Sequence, residues 1–83
     1  QLVPAPREEL EKLGLKAGVK VASVDKGKVR DAGIKAGFII TYINNNPVSS
    51  PQDVAAEVKK ARRSLLIEGF DPSGNLYYYG IGL

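Results

Sequence analysis

An apolar run in the middle of the chain is the feature that most constrains its fold. The run from Phe38 to Ile43 consists of β-branched and aromatic residues around one threonine, and it ends at Asn44, Asn45, Asn46 and Pro47. β-Branched and aromatic residues favour strands, whereas asparagine and proline are typical of turns. The run therefore predicts a central strand, and the rest of the chain must form a sheet around it.

Length and composition allow one compact domain. The chain has 83 residues, of which 43% are hydrophobic, and a chain this short cannot build two independent cores. It contains no cysteine, so packing must hold it together without disulfides. We therefore expect a single domain over residues 1–83.

Two segments carry helix signals. The first, Arg7 to Leu13, has acidic residues in its first turn and is followed by Gly14, which predicts a short helix with a left-handed glycine cap. The second is predicted from Pro51 to Arg63. Its start has a hydroxyl cap at Ser50, proline at the first helical position and the carboxylate of Asp53 three residues after the cap.

The remaining predicted elements are short strands and one turn. The segment Gln1 to Val3 reads as a strand that ends at a proline, a residue confined to sheet edges and strand ends because it cannot donate to a ladder. The others are a strand from Gly18 to Val24, a helical turn from Val29 to Ala32, and a hairpin of strands Leu65 to Phe70 and Leu76 to Ile81. The run Tyr77, Tyr78 and Tyr79 is interpreted as alternating strand faces.

The residue inventory argues against catalysis and metal binding. The chain contains neither histidine nor cysteine, so it cannot build a Ser-His-Asp triad, and a zinc site would lack its usual nitrogen and sulfur ligands. We expect no catalytic residue, no metal and no cofactor.

Charge and hydropathy also exclude some partners. The formal net charge is only +3, and the one basic cluster, Lys59, Lys60, Arg62 and Arg63, is interpreted as a solvated last helical turn that complements the helix dipole. Exposed aromatic residues do not alternate with it, so nucleic acid is not an expected partner. No apolar run approaches the roughly 20 residues of a membrane span.

The order of these elements resembles the PDZ family. The segment GVKVASVDKGKVRDAGIKAGFIITYINNNPVSSPQDV is similar to the HtrA/Deg group of periplasmic serine proteases, in which PDZ domains follow the protease domain. The resemblance covers nearly the whole chain. It implies an α+β, mainly β fold: a partly open barrel of five or six short strands with one short and one longer helix.

Two turns depart from the family pattern. Where the family commonly has proline-glycine-aspartate, this chain has Ala36, Gly37 and Phe38, and where it has asparagine-glycine, this chain has Asn44 and Asn45. Asparagine tolerates positive φ, so we expect the second turn to survive. The phenylalanine indicates either a divergent subgroup or a surface used for packing.

The resemblance also implies where a peptide would bind. PDZ domains bind by β-augmentation, in which an edge strand supplies main-chain hydrogen bonds and a neighbouring helix supplies side-chain pockets. The matching positions are Gln1, Leu2 and Val3 on the edge strand, with Leu2 toward the pocket, and Pro51, Ala55 and Val58 on the longer helix. The alternative is that Leu2 and Val58 are simply core residues. Because proline offers no side-chain donor, the expected ligand preference is apolar.

The family's carboxylate-binding loop has one candidate inside the chain, the triplet Leu13, Gly14 and Leu15. Too few residues separate it from the strand at Val19 to hold an edge strand and a turn, and helix termination explains the glycine. The resemblance instead implies a loop before Gln1. We therefore expect a fragment that lacks the family's first strand and this loop, and the ending YYYGIGL suggests a natural C-terminus.

The function implied by the resemblance is regulatory peptide capture. The module would bind apolar C-terminal or extended segments of unfolded envelope proteins, alongside a protease domain of the same chain. The full-length protein would be a homo-oligomer in the periplasm or cell envelope. The alternative is an assembly module that packs against protease subunits without binding free peptide. A third possibility is a PDZ domain of an unrelated envelope protease or secretion component.

Overall fold

The computed structural model describes residues 1–24 and 32–82. Within these residues the fold is α+β and mainly β, as the sequence predicts, with a short helix and a longer helix. The strands are β1 (Leu2–Pro4), β2 (Val19–Val21), β3 (Ile39–Ile43), β4 (Asn46–Pro47), β5 (Ser64–Phe70) and β6 (Leu76–Gly82), and the helices are α1 (Arg7–Leu13) and α2 (Pro51–Lys60).

The six strands form one open antiparallel sheet. Along the sheet the order is β1, β2, β3, β5 and β6, while β4 folds back on β3 as a hairpin. Strand β3 is thus central, which confirms the prediction from its apolar run. Strands β1 and β6 lie at the two ends of the path.

Helix α1 has the predicted bounds and the predicted cap. Gly14 adopts φ +70° and ψ +27°, and its N–H donates to the carbonyl of Glu11. The N–H of Leu15 donates to the carbonyl of Leu10 at 2.8 Å, which completes a Schellman motif. The glycine of the Leu13-Gly14-Leu15 triplet therefore ends a helix, as expected.

Helix α2 begins as predicted but ends earlier. The Ser50 hydroxyl accepts the N–H of Asp53 at 3.2 Å, and Pro51 occupies the first turn. The predicted end at Arg63 is wrong, because the helix stops at Lys60 and Ala61 is already extended, with φ −69° and ψ 137°. The chain must leave the helix here to begin β5 at Ser64 and to bury the next residue of that strand.

Strand β2 is shorter than predicted. It covers Val19–Val21 rather than Gly18 to Val24, because the neighbouring chain turns away at Gly37, which has φ +97°. No extended partner remains on that side beyond Val21. The predicted helical turn from Val29 to Ala32 lies almost wholly outside the described residues.

The asparagine turn survives as expected. Asn44 and Asn45 have φ +50° and +68° and join β3 to β4 with two central residues, the pattern of a type I′ hairpin turn. The Asn44 side-chain oxygen also accepts the N–H of Leu66 at 2.8 Å, which ties the turn to β5.

The core lies on one face of the sheet, where it contacts α2. Its buried members are Val19, Val21, Ile34, Phe38, Ile40, Ile43, Val48, Val54, Leu65, Ile67 and Ile81. Phe38 is only 3% exposed and packs edge-on against Tyr79, with ring centroids 5.3 Å apart. Of the two alternatives for Phe38, this burial excludes a surface used for packing, since the ring lies within the core of its own domain.

A close approach between β3 and β5 depends on Gly69. A β-carbon at this position would lie 2.1 Å from the carbonyl oxygen of Ile39 and 2.7 Å from the ring of Phe38. Neither the main chain nor a buried ring can give way cheaply. Gly69 is therefore required for the pairing of these two strands.

We expect Gly69→Ala to lower the free energy of unfolding by about 1–3 kcal/mol, the usual effect of overpacking. Gly80→Ala is the matched control, because a β-carbon there meets no atom within 4 Å. Thermal and urea unfolding would compare the two variants. Equal free energies of unfolding for Gly69→Ala and Gly80→Ala would contradict the close approach of β5 to β3.

Candidate functional site

The outer edge of β1 is the first part of the predicted site. The Gln1 carbonyl accepts the N–H of Ala22, and the Ala5 N–H donates to the carbonyl of Gly18. Main-chain groups alternate in direction along a strand, so Leu2 and Pro4 direct theirs away from β2. Because proline has no N–H, this edge offers one donor, on Leu2, and the carbonyls of Leu2 and Pro4.

The side chains of β1 lie on two faces. Leu2 lies opposite Val21, which is buried, and packs partly buried against the core. Val3 lies opposite Lys20 on the other face, where the Lys20 ammonium contacts Glu9 of α1 at 2.6 Å. Leu2, and Pro4 two positions later, therefore face the same side of the sheet as α2.

Helix α2 contacts β1 and presents an apolar stripe beside its buried face. Val54 is buried, and Ala61, directly after the helix, packs against the core, so the helix face that includes Val54 is turned inward. Pro51 is half-buried, Ala55 is exposed, and Val58 is 42% exposed. Since Val58 borders solvent, it is not an enclosed core residue.

Polar contacts fix helix α2 along its length. The Asp53 carboxylate accepts the N–H and the hydroxyl of Ser49, each at 2.9 Å. One turn later, the Glu57 carboxylate accepts the Asn46 side-chain amide at 2.9 Å and contacts the Lys60 ammonium at 3.0 Å. Together these bonds attach the helix to β4 and to the segment before the helix, and so orient the stripe.

The same contacts lower the pKa values of both carboxyls. The pKa of Asp53 lies below its ordinary value of 3.8, chiefly because the Ser49 N–H donates to the ionised form. The pKa of Glu57 lies below 4.5, chiefly because of the hydrogen bond from Asn46. Both carboxylates are therefore acceptors at neutral pH.

The structure places the six predicted residues on two elements that touch. Gln1, Leu2 and Val3 lie in or beside β1, and Pro51, Ala55 and Val58 lie on α2. The sequence missed Pro4, which belongs to β1 and directs its carbonyl outward. The sequence prediction ended the strand before this proline. Proline can also occupy the last position of an edge strand, so its presence did not decide where the strand ends.

Two other clefts lie away from these six residues. One, of about 420 Å³, is bordered by Phe38, Tyr77, Tyr79 and Pro72. The other, of about 350 Å³, lies between the end of α1 and the β3–β4 hairpin, next to Tyr42 and Pro47. Neither contains a group of metal-ligating residues, and none was found elsewhere in residues 1–24 and 32–82.

The described helices are too short or too polar to cross a membrane.

Comparison with known proteins relates the chain to bacterial proteases. No protein-family model matches it. Over 61 residues it is 36% identical to probable periplasmic serine endoproteases described as DegP-like from Brucella suis biovar 1, Brucella abortus biovar 1 and Brucella melitensis biotype 1. The match covers 70% of this chain but only 12% of each relative. The chain therefore contains a region related to proteases of the HtrA type.

Acid should weaken the start of α2. Because the pKa of Asp53 is lower in the folded chain than in the unfolded chain, its contribution to stability is present above about pH 4 and is lost as the pH falls through the folded value. We expect Asp53→Asn to show a smaller loss of melting temperature than the original chain between about pH 5 and pH 2.

Ser49→Ala provides a graded comparison for this prediction. It removes the hydroxyl donor but keeps the N–H donor, so its pH dependence should lie between those of the original chain and Asp53→Asn. Melting curves for Asp53→Asn that remain parallel to those of the original chain over this range would contradict the assignment.

Proposed function

We propose that residues 1–83 are a PDZ-type module of an HtrA-like serine protease, and that the module binds apolar peptides by β-augmentation. The peptide adds as a strand to the outer edge of β1, and its side chains contact the stripe of Pro51, Ala55 and Val58 on α2. The ligands are C-terminal or extended segments of unfolded proteins in the periplasm or cell envelope. Hydrolysis belongs to a protease domain of the same protein.

One observation supports the proposal: β1 lies at an end of the sheet and contacts α2, the helix that carries the apolar stripe. An incoming strand can pair with the Leu2 N–H and with the carbonyls of Leu2 and Pro4. Alternate side chains of that strand then point toward α2, on the side of the sheet where Leu2 packs. The fold and the relation to DegP-like proteases also support a module of this kind.

The chemistry of the stripe favours apolar ligands. Pro51, Ala55 and Val58 carry no hydrogen-bonding side-chain group, so they cannot select a ligand hydroxyl or charge. The contribution of this stripe to the free energy of binding must come from buried apolar area, at roughly 25 cal/mol per Å². The main-chain groups of β1 fix the direction of the peptide but do not distinguish its side chains.

The alternative function is assembly against other protease subunits without a free peptide ligand. It is favoured by exposed apolar side chains on the sheet face away from α2. These are Tyr42, Leu66, Leu76 and Tyr78, each at least 40% exposed. Peptide titration separates the two functions, because assembly through this face leaves the groove at β1 without a ligand.

We expect Val58→Lys to weaken peptide binding far more than it weakens the fold. Burial of one apolar ligand side chain is worth about 1.5–3 kcal/mol, so its loss lowers affinity about ten- to hundredfold. The lysine stem can extend to water from this half-exposed position, and the melting temperature should change little. The resemblance assigns the carboxylate-binding loop to residues before Gln1. The titration therefore uses the chain with those residues of its parent protein and a peptide that ends in an apolar residue.

Leu66→Lys is the matched control. Leu66 is 41% exposed, close to the 42% of Val58, but it lies on the face away from α2. This variant should bind peptide as the original chain does. Unchanged affinity in folded Val58→Lys would show that the groove is in the wrong place.

The module alone should not hydrolyse proteins, since the chain lacks histidine and cysteine. Incubation of the highly purified chain with unfolded casein should leave the casein intact. Turnover that disappears when one serine of the chain is replaced would overturn this part of the proposal.

A further inference from the structure

The second edge of the sheet, β6, is long and unprotected. Among the described residues β6 pairs only with β5, and it extends over seven residues, whereas β1 has three. Its sequence from Leu76 to Gly82 contains no charged residue and no proline. Charges, prolines and short lengths are the usual devices that prevent edge-to-edge pairing.

The free main-chain groups of β6 belong to its even-numbered residues. The Asp71 N–H donates to the carbonyl of Asn75 at the start of the hairpin, and the register continues through Gly69 opposite Tyr77 to Leu65 opposite Ile81. Odd-numbered residues therefore bond to β5. The outer edge presents the N–H and carbonyl groups of Leu76, Tyr78, Gly80 and Gly82.

The side chains along this edge are large in the first half of the strand and absent in the second. Leu76 and Tyr78 are 46% and 57% exposed, whereas a β-carbon at Gly80 or Gly82 would meet no atom within 4 Å. All four positions lie on one face of the sheet, because their numbers differ by two. The strand is thus complementary to a copy of itself that runs in the opposite direction.

We propose that β6 pairs antiparallel with β6 of a second copy of this chain, about a two-fold axis at Tyr79. This register gives every outward residue a partner: Tyr78 lies opposite Gly80 of the partner, and Leu76 lies opposite Gly82. Registers centred one residue earlier or later leave an outward residue without a partner. The two tyrosines fill the open space above the two glycines, an arrangement that stabilises glycine in a sheet.

Charge and apolar area agree with a second copy as the occupant. Each chain carries a net charge of +3, but β6 is uncharged, so two copies can approach along this edge without a pair of like charges facing each other. On the neighbouring strand, Leu66 lies directly opposite Gly80 and is 41% exposed. Tyr78 of the partner would therefore cover Leu66 as well as the glycine.

The interface is small, so the dimer is weak in the isolated chain. It does not depend on the peptide groove, which lies at the opposite end of the sheet. Loss of peptide binding would therefore leave the dimer intact, and loss of the dimer would leave peptide binding intact.

Sedimentation velocity of the 83-residue chain at rising concentration, up to about 1 mM, tests the dimer. We expect a reversible monomer–dimer equilibrium, which Tyr78→Lys weakens about ten- to hundredfold because it removes the buried ring and places a charge on the edge. Gly80→Pro, which removes one outward N–H and leaves the bonds to β5 intact, should act likewise. A pure monomer throughout would overturn the proposal.

Tyr42→Lys is the control for stacking through the sheet face. Tyr42 is 40% exposed and lies on the same face as Tyr78, but on the central strand β3. The Tyr42→Lys variant should leave the dissociation constant of the dimer unchanged. If it weakens association as much as Tyr78→Lys does, the copies pack face to face and the edge pairing is wrong.

The register can be tested by cross-linking, because the chain has no cysteine of its own. In the proposed register residues 78 and 80 of the two copies face each other at about 5.5 Å between Cα atoms, within reach of a disulfide. Two copies of residue 78, or of residue 80, lie about 7–8 Å apart on the diagonal. An oxidised mixture of Tyr78→Cys and Gly80→Cys should therefore form a mixed disulfide dimer. Equal cross-linking of each variant alone would contradict this register.

Discussion

The structure depends on the packing of Phe38 over Gly69. The phenylalanine ring lies within 2.7 Å of where a β-carbon of residue 69 would be, and the missing side chain lets β5 approach the Ile39 carbonyl on β3. The same ring contacts Tyr79 of β6 edge-on. One buried aromatic residue thus sets the positions of β3, β5 and β6, and α2 is placed by the core that these strands complete.

An open sheet has two edges, and in this chain they differ in length and in the groups that they present. The edge at β1 is short, has a single outward N–H and contacts α2. The edge at β6 is more than twice as long and carries no protective charge or proline. We propose peptide binding for the first edge and self-association for the second. The two edges lie at opposite ends of the sheet, with β2, β3 and β5 between them.

Much of the fold could be predicted from local chemistry. The glycine cap of α1, the serine cap and proline of α2, and the two-asparagine turn each depend on residues adjacent in sequence, and the structure confirms all three. The errors occurred where distant residues decide. Strand β2 stops early because Gly37 turns its neighbour away, and Phe38 is buried because Gly69, thirty-one positions later in the chain, leaves room for its ring. For the same reason, the sequence indicated the elements of the candidate groove but could not establish that β1 and α2 touch.

The central claim is that an added peptide pairs with the outer edge of β1. Amide chemical shifts and hydrogen exchange of the labelled chain, extended before Gln1 as for the titration, would test it directly during addition of an apolar C-terminal peptide. We expect the Leu2 amide to shift strongly and to gain protection, together with shifts at Ala55 and Val58. An unchanged Leu2 amide, with the peptide-induced shifts confined to β6 or to the sheet face away from α2, would contradict the account.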